Sequence, residues 1–533
     1  MRVFRTVLEQ KVWERRQTLE EFAEYAETYA REHKEPGSIG LRHLQRLASG
    51  RGPKGQPLGP VKPATARLLE SILGLSIDEL LRPTNESPQD SDLNRQHVSA
   101  QPLHASPDFS AAFDWLDERA SWPPGTAQTK VSARLAEVST GELRDRNTRR
   151  RKVNRSQVAR ALSAYYAASE PDYGLYQVEG AGQKIVTSVL TSPDWLNLNC
   201  ALNARNDRLT LTSLATHPDI ELDNEGVEAA VQQLAETMAT KIRLVDMPLY
   251  RLLDIKIDRD SIAGSVGVTR FVNYALTMDL LENELVDAIA ADLPLRRGSL
   301  PLRDRYLPNL ASVLNISARP CVGGTLALCA IARPFDPYRG ARDYALLVQE
   351  RSGHVVNAAR RLAVIPKGFH QPDTDIRSDT QIGGTLRREM EEELFGRDEV
   401  DNTCGERRAA APMHPQRLSN PMRWLMGNAD QLRMESTGFG LNLVSGNFEF
   451  ASIVVVDDEE FWTRYGGDIE ANWESSGLRL YSSLDRELLT ELISDEAWSN
   501  EGVFALCQGL RRLAELADER VNLPTMAATA NGR

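Results

Sequence analysis

The residues best equipped for chemistry lie in one short run, "TLRREMEEELFG" at 385–396. At about 100° per residue, Glu389, Glu392 and Glu393 share one arc of a helix, beside an apolar stripe of Leu386, Met390 and Leu394. Carboxylates presented together repel, by a few tenths of a kcal/mol for each i,i+4 pair, so the cluster calls for a compensating cation. Arg388 offers one at i+4 from Glu392, and a divalent cation held by carboxylate oxygens, Mg²⁺ or Mn²⁺, is another. A solvated acidic helix is the plain alternative.

The elements around this run must position it. "GGTLALCAIA", "DYALLVQE" and "RLAVIPKGF" read as strands ahead of the helix, and "NFEFASIVVVDD" reads as a strand behind it. With "IPKG" as the turn from strand to helix, "REMEEE" at 388–393 resembles the R-E-U-x-E-E heart of the Nudix box, over about residues 318–515. The resemblance implies an α/β/α sandwich in which Glu389, Glu392 and Glu393 hold Mg²⁺ or Mn²⁺. It makes Arg388 the residue that orients the glutamates and Gly368 the cofactor-binding, opening glycine of the loop, with Arg388, Glu392 and Glu393 as the catalytic set. The chemistry would be attack of water on a diphosphate assisted by the cation, or binding of a nucleoside diphosphate derivative without turnover. Glu449, Asp457 and Asp458 are candidates for a separate general base. His370 reads as a satisfied polar loop residue.

Two departures from the family pattern bear on catalysis. Nineteen residues separate Gly368 from Arg388, six more than the pattern, so the place of the first box glutamate falls on Thr380. The closing glycine of the box falls on Phe395, with Gly396 one residue late.

The other end of the chain carries a different signal. Residues 1–160 hold 26 Lys/Arg against 21 Asp/Glu, a net of +5, so a total of −12 leaves −17 on the rest. A basic head on an acidic body suits nucleic-acid binding by the head. Thr18 and Glu21 open a helix as a capping box, and Phe22, Ala23, Ala26 and Ala30 recur along one face of it. After "HKEPGS", Ser38 caps a second helix that turns Leu41, Leu44 and Leu47 inward and leaves Arg42, Gln45, Arg46 and Ser49 outward. Guanidinium and amide groups of this kind pair with guanine and adenine edges. Residues 1–82 resemble the helix-turn-helix domain of the Cro and lambda-repressor family, which implies that Ile39 to Ser49 is the recognition helix and that double-stranded DNA is a partner. The turn and the "GRGPKGQPLGP" loop are longer than that family's pattern. A small helical interaction domain without DNA contact is the other reading.

Residues 83–110 are polar and aperiodic, as in a flexible linker. Residues 111–160 read as helical, ending in "RDRNTRRRKVNRSQ", where Arg144, Arg146, Arg149, Arg150, Arg151, Lys152 and Arg155 could touch a phosphate backbone or pair with the acidic body. An α/β domain is expected over 161–315, with one helix across "FVNYALTMDLLENELVDAIA" and no chemical motif. Homodimerisation, ligand sensing and packing against the C-terminal domain are all open to it. Residues 516–533 read as a tail. The five cysteines are scattered, without a CxxC pair, which argues against a disulfide framework or a zinc knuckle.

The expected architecture is therefore multidomain α/β: an all-α helix-turn-helix head, an α/β middle domain and a Nudix-like C-terminal sandwich. No run of ~20 apolar residues and no signal peptide is seen, so a cytoplasmic protein without membrane contact is expected. The function expected is a DNA-binding transcriptional regulator whose C-terminal domain binds, and in one version hydrolyses, a nucleotide-type small molecule. A Mg²⁺-dependent Nudix hydrolase with a helical interaction module is the alternative.

Overall fold

The structure, a computed structural model, describes residues 5–14, 19–32, 39, 41–49, 61, 63–73, 77–81, 107–167, 170, 172–180, 183–213, 222–240, 242, 244–338, 340–351, 361–395, 413, 417–467, 469, 475–517 and 519–531. The chain divides into two compact units, Met1–Pro102 and Leu103–Arg533.

The first unit is built from α1 (Val7–Glu14), α2 (Leu19–Glu32), α3 (Leu41–Ser49), α4 (Pro63–Leu73) and α5 (Ile77–Leu80). Their apolar positions close one core: Phe22, Ala26 and Ala30 of α2 meet Leu44 and Leu47 of α3, with Leu8, Leu68, Leu69 and Leu80 completing it. Phe22, Ala23, Ala26 and Ala30 are all buried, as their spacing predicts. The expected caps Thr18 and Ser38 and the loop over 50–60 lie outside the described residues.

The second unit begins with α6 (Pro107–Arg119), α7 (Thr126–Glu137), α8 (Thr140–Lys152) and α9 (Arg155–Tyr165), then β1 (Gly174–Gly180), β2 (Gln183–Thr191), α10 (Pro193–Leu196), β3 (Cys200–Ala201) and β4 (Asp207–Ser213). After α11 (Asn224–Ala239) come β5 (Pro248–Asp258), β6 (Ser261–Arg270), α12 (Phe271–Ala275), α13 (Leu280–Ala290), α14 (Pro301–Tyr306) and α15 (Leu310–Leu314). The remainder runs β7 (Gly323–Arg333), β8 (Asp343–Arg351), β9 (Leu362–Val364), β10 (Lys367–Phe369), α16 (Ile382–Glu389), α17 (Asn420–Gly427), β11 (Leu432–Asn442), β12 (Phe448–Val456), α18 (Glu459–Tyr465), β13 (Ser475–Ser482), α19 (Arg486–Ser494), α20 (Asn500–Leu516) and β14 (Met526–Asn531).

The fold is mixed α/β. One large sheet runs β13-β8-β7-β12-β11-β2-β1-β14, with β3, β9 and β10 added at its margins, and β12 beside β7 is its parallel pair. Along β12 the side chains alternate. Phe448, Phe450 and Val454 join the core that holds Leu386, Met390 and Leu394 of the acidic run. Ala451, Ile453 and Val455 join the core built on Phe504, Leu506 and Leu510 of α20. Helices therefore cover both faces of the sheet, α16 on one and α20 on the other.

The large sheet draws its strands from several of the segments named above. β1 and β2, from the stretch read as a middle domain, and β14, from the stretch read as a tail, are strands of the same sheet as β7 to β12. Residues 161–315 and 318–515 thus share one compact unit, because strand pairing between segments far apart in sequence leaves no local trace. A second sheet, β4-β6-β5, joins the first through Tyr250 N to His370 O at 2.9 Å and Leu252 N to Cys321 O at 2.8 Å. The helix expected across 271–290 is two helices, α12 and α13. The chain turns at Leu276–Asp279, where the Thr277 hydroxyl bonds back to the Asn273 carbonyl. Pro107 opens α6 inside the stretch read as linker.

Candidate functional site

The acidic run begins as α16 and continues as a single π-helical turn, Met390–Leu394. Its apolar stripe is buried as expected: Ile382, Leu386, Met390 and Leu394 are each at most 1% exposed. A buried carboxylate from β4, Asp207, receives the Gly383 amide at 3.0 Å and so satisfies a free donor in the first turn of α16. Burial, opposed by those backbone amides, pushes Asp207 up to about 6.

π turns widen the backbone and re-aim the side chains that follow, and here they send the glutamates to separate partners. Glu389 bonds Arg388 at 2.5 Å and lies against Gly368, where an added Cβ would collide with its carboxyl carbon. Arg388 also reaches the Phe369 carbonyl at 3.3 Å. Glu391, which the sequence did not single out, takes the Ser419 amide at 2.6 Å and its hydroxyl at 2.7 Å. Glu393 accepts the Lys367 amide at 2.6 Å and the Gln349 side chain at 3.5 Å. Glu389, Glu391 and Glu393 are all buried, and Glu392 is half-buried. The run is therefore not a solvated charge cluster.

A divalent cation needs several oxygens aimed at one point. Among the described residues no three His, Cys, Asp or Glu side chains are grouped to hold a metal ion. In this packing Glu389 pairs with Arg388, the residue expected to orient it, and Glu393 accepts a main-chain amide. Thr380, at the place of the first box glutamate, is buried and donates to the Leu209 carbonyl at 2.6 Å. Gly396 lies outside the described residues.

No known family and no curated protein matches the chain.

Of the three acids considered for a general base, Asp457 accepts the Tyr344 hydroxyl at 3.1 Å, and Asp458 caps α18 and accepts the Trp424 indole at 2.7 Å. Glu449 belongs to the opposite face of the sheet. By strand alternation it shares the side of Ala451 and Ile453, under α20, whereas Gly368 faces α16. There it joins a buried polar cluster that the sequence left unmarked. Lys367 Nζ meets Glu501 at 3.0 Å, and the Asn442 amide lies 3.4 Å from Glu449 and 3.5 Å from Glu501. Burial, then the nearby Glu501 charge, pushes Glu449 up to about 8. Glu501 is equally buried, yet the Lys367 ammonium holds it below the usual carboxylate range.

His370 departs from expectation. It is buried against Tyr250, ring centroids 4.5 Å apart, and neither ring nitrogen has a hydrogen-bond partner among the described residues. Burial lowers it to about 3, which makes it neutral at physiological pH.

In the first unit, α3 packs against α1 and α2 and keeps Arg46 exposed. Ser49 donates its hydroxyl to the Arg46 carbonyl at 2.8 Å, in the last turn of the helix. The side chains of Arg42 and Gln45 lie outside the described residues. No helix among the described residues is long and apolar enough to cross a membrane.

Proposed function

We propose that the chain is a DNA-binding transcriptional regulator: the first unit is a helix-turn-helix head with α3 as recognition helix, and the second is a Nudix-like unit that binds a nucleotide-type ligand without hydrolysing it. The observation that carries this reading is the state of the acidic run. Its buried glutamates are engaged by Arg388, Ser419 and the Lys367 amide, so they serve the fold as anchors between helix and sheet. A hydrolase would keep such carboxylates convergent and open to substrate. The head supports the same reading. It closes its own core and keeps Arg46 of α3 exposed, as a side chain that meets DNA must be.

The second reading is a Nudix hydrolase with an interaction module. It requires Glu389, Glu392 and Glu393 to leave their present partners and converge on Mg²⁺ or Mn²⁺. One experiment separates the two: the full chain is offered genomic duplex fragments and, in parallel, a panel of nucleoside diphosphate derivatives with Mg²⁺. A regulator enriches particular fragments and leaves the panel intact; a hydrolase does the reverse.

A further inference from the structure

The basic stretch at 144–155 splits into two sets. Arg146 pairs with Glu236, Arg155 with Glu496 at 2.9 Å, and Arg150 grips both oxygens of Asp287 at 2.6 Å. These three tie α8 and α9 to the acidic body. Arg144, Arg149, Arg151 and Lys152 remain exposed, with no ion pair among the described residues.

Arg149 lines an open groove of about 480 Å³ between α8, α13 and the loop that follows α13. Two acids also line it, and both are engaged: Asp287 by Arg150, and Glu284 by the amides of Leu302 at 2.7 Å and Arg303 at 3.0 Å. The loop meets the groove through Leu293 and Ser299 and carries Arg296 and Arg297 between them, both exposed and likewise without an ion pair among the described residues, with the exposed Asp292 just ahead of them. Arg146 and Arg149 line the groove itself, over a floor of small apolar residues such as Ala288 and Ala291, and Arg296 and Arg297 stand on the loop beside it.

We propose that this groove is a second nucleic-acid contact, gripping the phosphate backbone of a DNA duplex without reading its bases. Guanidinium forks match phosphate oxygens in pairs, and exposed cations on α8 and on the neighbouring loop suit a ligand whose charges repeat along its length. An acidic peptide is the weaker fit, since extended peptides draw on a free strand edge or an aromatic-lined slot and this groove is walled by helices and a loop. The proposal takes its partner from the DNA-binding reading but does not depend on α3.

The test is fluorescence anisotropy of the full chain on a random-sequence duplex across a salt series, for wild type and a variant carrying R149Q, K152Q, R296Q and R297Q. The inward arginines are untouched, so the thermal midpoint should hold. A companion variant with lysine at the three arginine positions keeps the charge and should bind nearly as wild type. The glutamine variant should bind at least about tenfold more weakly, with the slope of log K against log salt shallower by about 0.9 for each phosphate that is no longer neutralised. Equal affinity and slope in wild type and the glutamine variant would overturn the proposal, as would competition by poly-glutamate in place of duplex, which would name an acidic protein partner. Failure of the head reads out separately. If no sequence is preferred but the slope responds to the four substitutions, α3 is not a recognition helix and the groove contact stands.

Discussion

Half-buried Lys367 meets the buried Glu501 at 3.0 Å, on the face of the sheet away from the acidic helix, while the main-chain amide of the same lysine holds Glu393 on the near side. One residue of β10 thus fastens α20 to one face and the acidic run to the other. Removing a single partner of a buried ion pair strands the remaining charge, at a cost of roughly 3–5 kcal/mol. Lys367→Met should therefore destabilise by about that amount in urea unfolding, and adding Glu501→Gln should recover much of the loss. A single variant as stable as wild type would show that the pair is no anchor.

The same cluster should make stability depend on pH. Glu449 is raised to about 8, above its ordinary value, so its contribution to stability is complete below that ordinary value and is lost as pH rises through about 8. Glu501 is lowered, so its contribution has the opposite sign and is lost as pH falls through its folded value. Urea midpoints measured from about pH 5 to about pH 9 should fall on the alkaline side in wild type and stay flatter in Glu449→Gln. Parallel curves would contradict the burial of an acid with a raised pKa at this position.

Asp207 joins β4 to the start of α16. Asp207→Ala should cost about 0.5–2 kcal/mol, the ordinary range for a lost helix cap, and should loosen hydrogen-exchange protection first in α16. Uniform loss of protection across the unit would argue against a local capping role.

For the acidic run, Mg²⁺ or Mn²⁺ at millimolar concentration with a diphosphate should leave the difference in melting midpoint between wild type and Glu392→Gln unchanged. A cation bound only by the folded state must raise the midpoint, and loss of a ligand must abolish the rise. A rise in wild type that Glu392→Gln removes would restore the hydrolase reading.

Much of this fold was legible locally. The i,i+4 spacing of Leu386, Met390 and Leu394 and of Phe22, Ala26 and Ala30 marked the buried faces correctly, and the apolar runs over 323–333 and 448–456 are strands. What could not be read is non-local. The pairing of β1 with β14 across the unit, the Asp207 cap some 176 residues from Gly383, and the meeting of Lys367, Glu449 and Glu501 follow from strand order, which no window of sequence encodes. An α-helical wheel puts Glu389, Glu392 and Glu393 on one arc. The π turn at Met390–Leu394 and partners as distant as Ser419 decided where they point.

Whether α3 reads DNA is measured most directly by selection of bound genomic duplexes with the full chain, followed by titration of the enriched duplex with wild type, Arg42→Ala and Arg46→Ala. A recognition helix predicts one enriched sequence, bound with steep salt dependence, and a loss of roughly 1–3 kcal/mol with flattened preference at one base position for a variant that removes a bidentate contact. Binding curves unchanged by both substitutions on that duplex, or no sequence enriched above random fragments, would contradict it.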